Sequence, residues 1–156
     1  MLTNAQMLAL RAAAMADGTA AGLIATADDQ GLADWLNVGQ STFFVWRTSL
    51  TPDMSRSAIV QGATQLDSLT AGKRDSLFWL LSESVNPSDA NVRAAIDDLC
   101  GTQAALKGAL QSALKRTTTR AEKILASGTG TISVPATLAY EGYLSAAEAS
   151  GGRVAQ

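Results

Sequence analysis

Residues Leu69 to Ser84, LTAGKRDSLFWLLSES, form the densest apolar run in the chain, and they limit the folds open to it. Leu77, Leu80 and Leu81 share one face with Arg74 at i, i+3, i+4 spacing, and Phe78 and Trp79 carry the apolar surface round nearly the whole circumference. A helix apolar on nearly every side belongs in an interior, so this stretch reads as a central helix with the others packed round it. A short apolar run also fits a buried strand. Ala71, Lys73 and Arg74 ahead of it, and the lack of a Val/Ile/Thr cluster, favour the helix. Thr70 is placed to cap it, and Asn86-Pro87 stops it, because a residue before proline is pushed out of the α region. On this reading Trp79→Ala costs about 3–5 kcal/mol.

The rest of the chain is punctuated in the same helical manner. Thr3 and Gln6 form a capping-box pattern ahead of Met7, Leu8 and Leu10, which predicts a first helix over 3–16, ended by Asp17-Gly18. Thr19 to Ala27 fits either a short helix or an ordered loop. Asp29 caps a short helix through Trp35 and Leu36. Thr51-Pro52-Asp53 is a helix start: a cap, a proline at the first helical position, then an acid at the positive end of the dipole. Ser88 is placed to cap a helix carrying Val92, Ile96 and Leu99. Thr102 opens the next, where Leu106, Leu110 and Leu114 make an i, i+4, i+8 ridge expected to face the same core as Leu77, Leu80 and Leu81. Thr117 to Thr119 interrupt that ridge, and one of them caps a last helix with Ile124 and Leu125.

Two stretches break the helical pattern. Ser41 to Leu50, STFFVWRTSL, reads as a strand or as an extended segment that brings aromatics onto the core. From Gly128 the spacing changes to period two: Ile132 and Val134, then Leu138 and Tyr140, with Pro135 between them. That predicts a small β-hairpin at about 130–142 behind a flexible Gly128-Thr129-Gly130-Thr131 hinge. Ser145 and Glu148 then make a capping box for a brief final helix. The expected fold is mainly α, a compact helical bundle over residues 1–127 with a small β-hairpin or extended arm near the C-terminus, 128–156, in one structural domain overall. A two-stranded hairpin is not stable alone in water, so Ile132, Val134, Leu138, Tyr140 and Tyr143 need a surface to cover. A neighbouring subunit is the preferred surface and the chain's own helices the alternative. Deleting the arm is then expected to leave the helices folded but unable to assemble.

Chemistry is less legible than architecture. The 156 residues hold one cysteine and no histidine, so no intrachain disulfide can form, and Cys100 has no imidazole to activate it. Asp28-Asp29 and Asp97-Asp98 are neighbours in sequence, but adjacent helical residues point about 100° apart and do not share a proton. The Gly/Thr run at 128–131 lacks the Lys-Ser/Thr of a phosphate loop. No catalytic, cofactor or metal constellation is expected, nor a signal peptide or membrane span, which makes the cytoplasm the expected place of synthesis. The formal net charge of −2 hides a segregation of sign: residues 1–100 carry six bases and eleven acids, while 101–127 carry Lys107, Lys115, Arg116, Arg120 and Lys123 against Glu122 alone. That basic stretch is either a solvated helix face or an electrostatic contact with a neighbouring subunit or DNA.

The segment Thr119-Arg120-Ala121-Glu122-Lys123, the Gly/Thr-rich run to Thr131, Pro135-Ala136-Thr137 and Tyr140-Glu141-Gly142 resembles a family of small tailed-bacteriophage virion structural proteins. Further likeness lies in Phe44 to Ser49, Leu66 to Arg74, Asn86-Pro87-Ser88 and Asn91 to Asp97, so that it spans about residues 37–145. The resemblance implies a virion protein, favouring a head-to-tail connector ring subunit that joins portal to tail. A capsid decoration or tail-completion protein is the alternative, and a nucleic-acid-binding module a lesser one. The implied partners are copies of itself in a ring, the portal and tail proteins and, in passing, packaged DNA, with no membrane.

Overall fold

The computed structural model describes residues 1–155. In chain order they form α1 (Asn4–Met15), α2 (Gly18–Ala25), α3 (Asp29–Asn37), β1 (Gly39–Trp46), α4 (Pro52–Gln61), a 3-10 helix (Ala63–Ser68), α5 (Ala71–Leu80), α6 (Ala90–Cys100), α7 (Ala104–Ala113), β2 (Lys115–Thr119), α8 (Arg120–Leu125) and α9 (Ala146–Val154). The fold is mainly α with one small two-stranded antiparallel sheet, β1 with β2. Local chemistry sets most helix starts. Thr3 with Gln6, Thr119 with Glu122 and Ser145 with Glu148 are complete capping boxes, and Thr51 and Thr70 accept from the N–H three residues on. Asp17 caps α2, which settles the Thr19–Ala27 stretch as helix. The cap of α6 is Asp89, not the expected Ser88, whose hydroxyl is bonded to Asn86 instead.

The chain divides differently from the expected 1–127 and 128–156. One unit is Met1–Val45 with Thr117–Gln156, the other Trp46–Arg116. In the first, α1, α2, α3, α8 and α9 close on Leu2, Leu10, Leu32, Leu36, Ala121, Leu144 and Ala149. The C-terminal segment is part of this unit because it supplies Leu144 and Ala149 to that core. No hairpin forms at 130–142. The second strand of the sheet is the β-branched run ending in Thr117, Thr118 and Thr119, which looked like a mere interruption. Residues 128–142 are irregular, and Gly130 and Ala136 dock on β1: Phe44 N–H donates to Gly130 O at 2.7 Å and Ala136 N–H to Phe44 O at 2.9 Å. The Gly/Thr run is thus a docked turn and not a free hinge.

In the second unit, α4, α5, α6 and α7 enclose Leu50, Ile59, Leu77, Leu81, Ile96, Cys100, Leu106, Leu110 and Leu114, with Leu80 packed against them. The Leu106 ridge therefore faces the core of Leu77 and Leu81, as its spacing implies. Leu110→Ala should lower the melting midpoint by an amount equivalent to about 3 kcal/mol in a thermal or urea titration, since the leucine is fully buried. The central-helix reading needs correction. α5 buries Leu77, but Phe78 is 43% and Trp79 78% exposed. Each residue turns the helix by about 100°, so the side bearing Leu77 and Leu81 meets α6 while the side bearing Trp79 meets water. Trp79→Ala accordingly loses its expected cost, and a surface substitution of this kind falls within about 0.5 kcal/mol.

Candidate functional site

The five expected interface residues lie in one segment, and the structure separates them into anchors and exposed groups. The segment is fixed at several points. Ser127 and Thr137 exchange backbone hydrogen bonds, both at 2.9 Å. Gln6 Nε2 donates to Ala139 O at 2.9 Å. Asn37 and Leu144 bond reciprocally, side-chain amide to backbone, both at 2.8 Å. Tyr140 and Leu138 are half-buried, Tyr140 against the core of the first unit, and its hydroxyl donates to Tyr143 O. Burial pushes the Tyr140 phenol up, with Glu148 and Glu122 adding to the shift.

Glu122 is the node of this arrangement. It is 2% exposed, and its carboxylate accepts from Thr119 N–H at 2.9 Å through Oε2 and from Gly142 N–H at 3.0 Å through Oε1. One side chain thus closes the start of α8 and pins the segment twenty residues on. The sequence offers Glu122 only as the acid of TRAEK; nothing in its spacing reveals the bond to Gly142.

Between the anchors the chain makes a tight turn. Thr131 N–H donates to Val134 O at 3.1 Å, Val134 N–H to Thr131 Oγ1 at 3.0 Å, and Thr129 Oγ1 to Val134 O at 3.0 Å. Ile132 and Val134 project from it, 64% and 58% exposed, and Tyr143 is 75% exposed. The turn is held against β1 by Gly130, at φ +66°, where the ring of Phe43 occupies the space a Cβ would take. Gly130→Ala should therefore cost about 2 kcal/mol through backbone strain and collision. Faster hydrogen exchange at the Phe44 amide would report the loosened turn, and unaltered exchange would exclude the docking.

The expected electrostatic residues are dispersed and engaged. Lys107 pairs with Asp97. Lys115 stands 5.5 Å from the Trp46 ring centroid, which Arg93 also covers at 4.4 Å. Arg116 is half-buried. Arg120 lies 4.1 Å over Trp35 and donates to its carbonyl at 3.1 Å. Lys123 stands 5.7 Å over Phe43. Basic and aromatic residues that are far apart in sequence therefore meet as cation–π pairs.

Elsewhere, Arg153 bonds Asp29 through both carboxylate oxygens and holds that carboxyl below its usual range. Cys100 is buried, which pushes its thiol up, and such a thiol is inert. Among the described residues no group of three His, Cys, Asp or Glu side chains could hold a metal ion, and no single helix is long and apolar enough to cross a membrane. The groups that stand out chemically are the exposed apolar turn on the first unit and the exposed Phe78 and Trp79 on the second. No family model, curated protein or solved structure matches the chain.

Proposed function

We propose that the chain is a structural protein of a tailed-bacteriophage virion, a non-catalytic ring subunit of a head-to-tail connector that joins portal to tail. The observation that carries this reading is the turn at 131–134. It is fixed by its own hydrogen bonds and by docking on β1, yet it holds Ile132 and Val134 in water. Neighbouring exposed apolar side chains on a fixed turn suit a contact surface. The TRAEK, PAT and EG motifs supply the virion setting by resemblance. The low charge fraction of 17% suits a surface that neighbours cover in part. A passing contact with packaged DNA has weaker support, because Lys107 pairs with Asp97 and Lys115 and Arg120 lie over tryptophan rings within the chain.

Cryo-electron microscopy of virions that carry this chain tests the reading. Ring density between portal and tail that accepts the two units is the expected result. Density on the capsid surface would assign a decoration protein, and density at the tail end a tail-completion protein. Absence of the chain from purified virions would overturn the virion assignment altogether.

A further inference from the structure

Trp79 differs from the other two tryptophans. Trp35 and Trp46 each carry a cation of the chain over the ring, whereas Trp79 has none among the described residues. Its neighbours are acids. Asp75 stands one helical turn before it on the same side of α5, and Glu83 lines the same shallow groove as Trp79, Leu80 and Val85. Both acids are exposed, and neither makes an ion pair among the described residues. An exposed indole with two carboxylates nearby suits an apolar group accompanied by a cation.

The first unit presents that combination. Ile132 and Val134 project from the turn, and Lys123 lies over the ring of Phe43, the same ring that Gly130 abuts, so cation and apolar pair share a neighbourhood. No acid occurs between Lys123 and Tyr140 in the sequence. The two surfaces are complementary in charge as well as in apolarity, and neither resembles itself. We infer that Ile132, Val134 and Lys123 of one copy dock on Trp79, Asp75 and Glu83 of a second copy. Such a contact joins unlike surfaces, so copies add head to tail and close into a ring or run on as a filament. The inference rests on the reading of the chain as a ring subunit and names the contact that would build the ring.

Full-length variants Trp79→Ser and Val134→Asp test it by sedimentation velocity. Both side chains are exposed, so both variants should keep the parent melting midpoint. Each alone should associate at least about 30-fold more weakly than the parent, the effect of a contact hot spot. Mixed in equal amounts, they retain one intact turn and one intact groove, and should form dimers that grow no further. Lys123→Glu should weaken association, and Asp75→Lys with Glu83→Lys added in the same chain should restore it. Variants that assemble like the parent, or a mixture that stays monomeric, would overturn this contact and leave the ring reading standing. A parent chain that stays monomeric at every concentration also overturns it. The ring reading then depends on the virion density alone. Loss of binding by Trp79→Ser to a different virion protein would assign the groove to that partner and not to a second copy.

Discussion

Ending the chain at Ser127 is expected to unfold the unit built from Met1–Val45 and Thr117–Gln156 while leaving the Trp46–Arg116 unit folded. The deleted residues include Leu144 and Ala149 of the first core, and α9, which packs along α3 and α1. They also include the partners of Phe44, Ser127, Asn37, Gln6, Glu122 and Asp29. Burial of one leucine is worth about 2 kcal/mol and each hydrogen bond about 1 kcal/mol. The loss is of the same order as the roughly 5–15 kcal/mol that holds a domain together. Hydrogen exchange read by mass spectrometry should show α1 and α3 unprotected and α7 protected. Full protection of α1 and α3 would return the segment to the role of a detachable arm, as its period-two pattern first suggested.

The largest single-residue effect should come from Glu122. Glu122→Ala leaves the buried amide of Thr119 and the half-buried amide of Gly142 without their acceptor, and an orphaned buried donor costs about 1–3 kcal/mol. A loss of about 4 kcal/mol is expected in urea denaturation. Glu122→Gln keeps one carbonyl acceptor of the same reach, so it should lose about half as much. Equal losses for Ala and Gln would mean that charge, and not the pair of hydrogen bonds, is what the site requires.

The contrast between α5 and α7 shows what could be read from the sequence. Leu106, Leu110 and Leu114 recur at a spacing that admits one face only, and they are buried as that spacing requires. Leu77 to Leu81 are consecutive, so the sequence does not say which side is inside, and density of apolar residues is not depth. Phe78 and Trp79 lie on the outer side because a ten-residue helix with one packed face leaves the other uncovered. The capping boxes at Thr3 and Ser145 were legible because their bonds span three residues, whereas at 117–119 the sequence offered only a cap from one of three threonines. The bonds from Glu122 to Gly142 and from Phe44 to Gly130 and Ala136 were not legible, since no local rule links residues so far apart. The pairing of β1 with β2 was hidden for the same reason, although Ser41 to Leu50 reads as a strand or an extended segment. Within the site, Ile132, Val134 and Tyr143 are exposed as a contact surface requires, while Leu138 and Tyr140 are half-buried within their own chain.

The first unit is discontinuous: its core is drawn from both ends of the sequence, with Trp46–Arg116 inserted between them. A ribosome makes the chain from one end only. Residues 46–116 have all their core partners as soon as they emerge. Leu10, Leu32 and Leu36 must wait, with their apolar faces open, until Ala121, Leu144 and Ala149 have been synthesised. The turn bearing Ile132 and Val134 takes its shape only in that same late step, since β1 is docked by residues 130–136. A chain that ends before residue 130 therefore lacks the formed turn, while its Trp46–Arg116 unit already has its whole core. The order of synthesis thus makes one unit before the other, and the turn last.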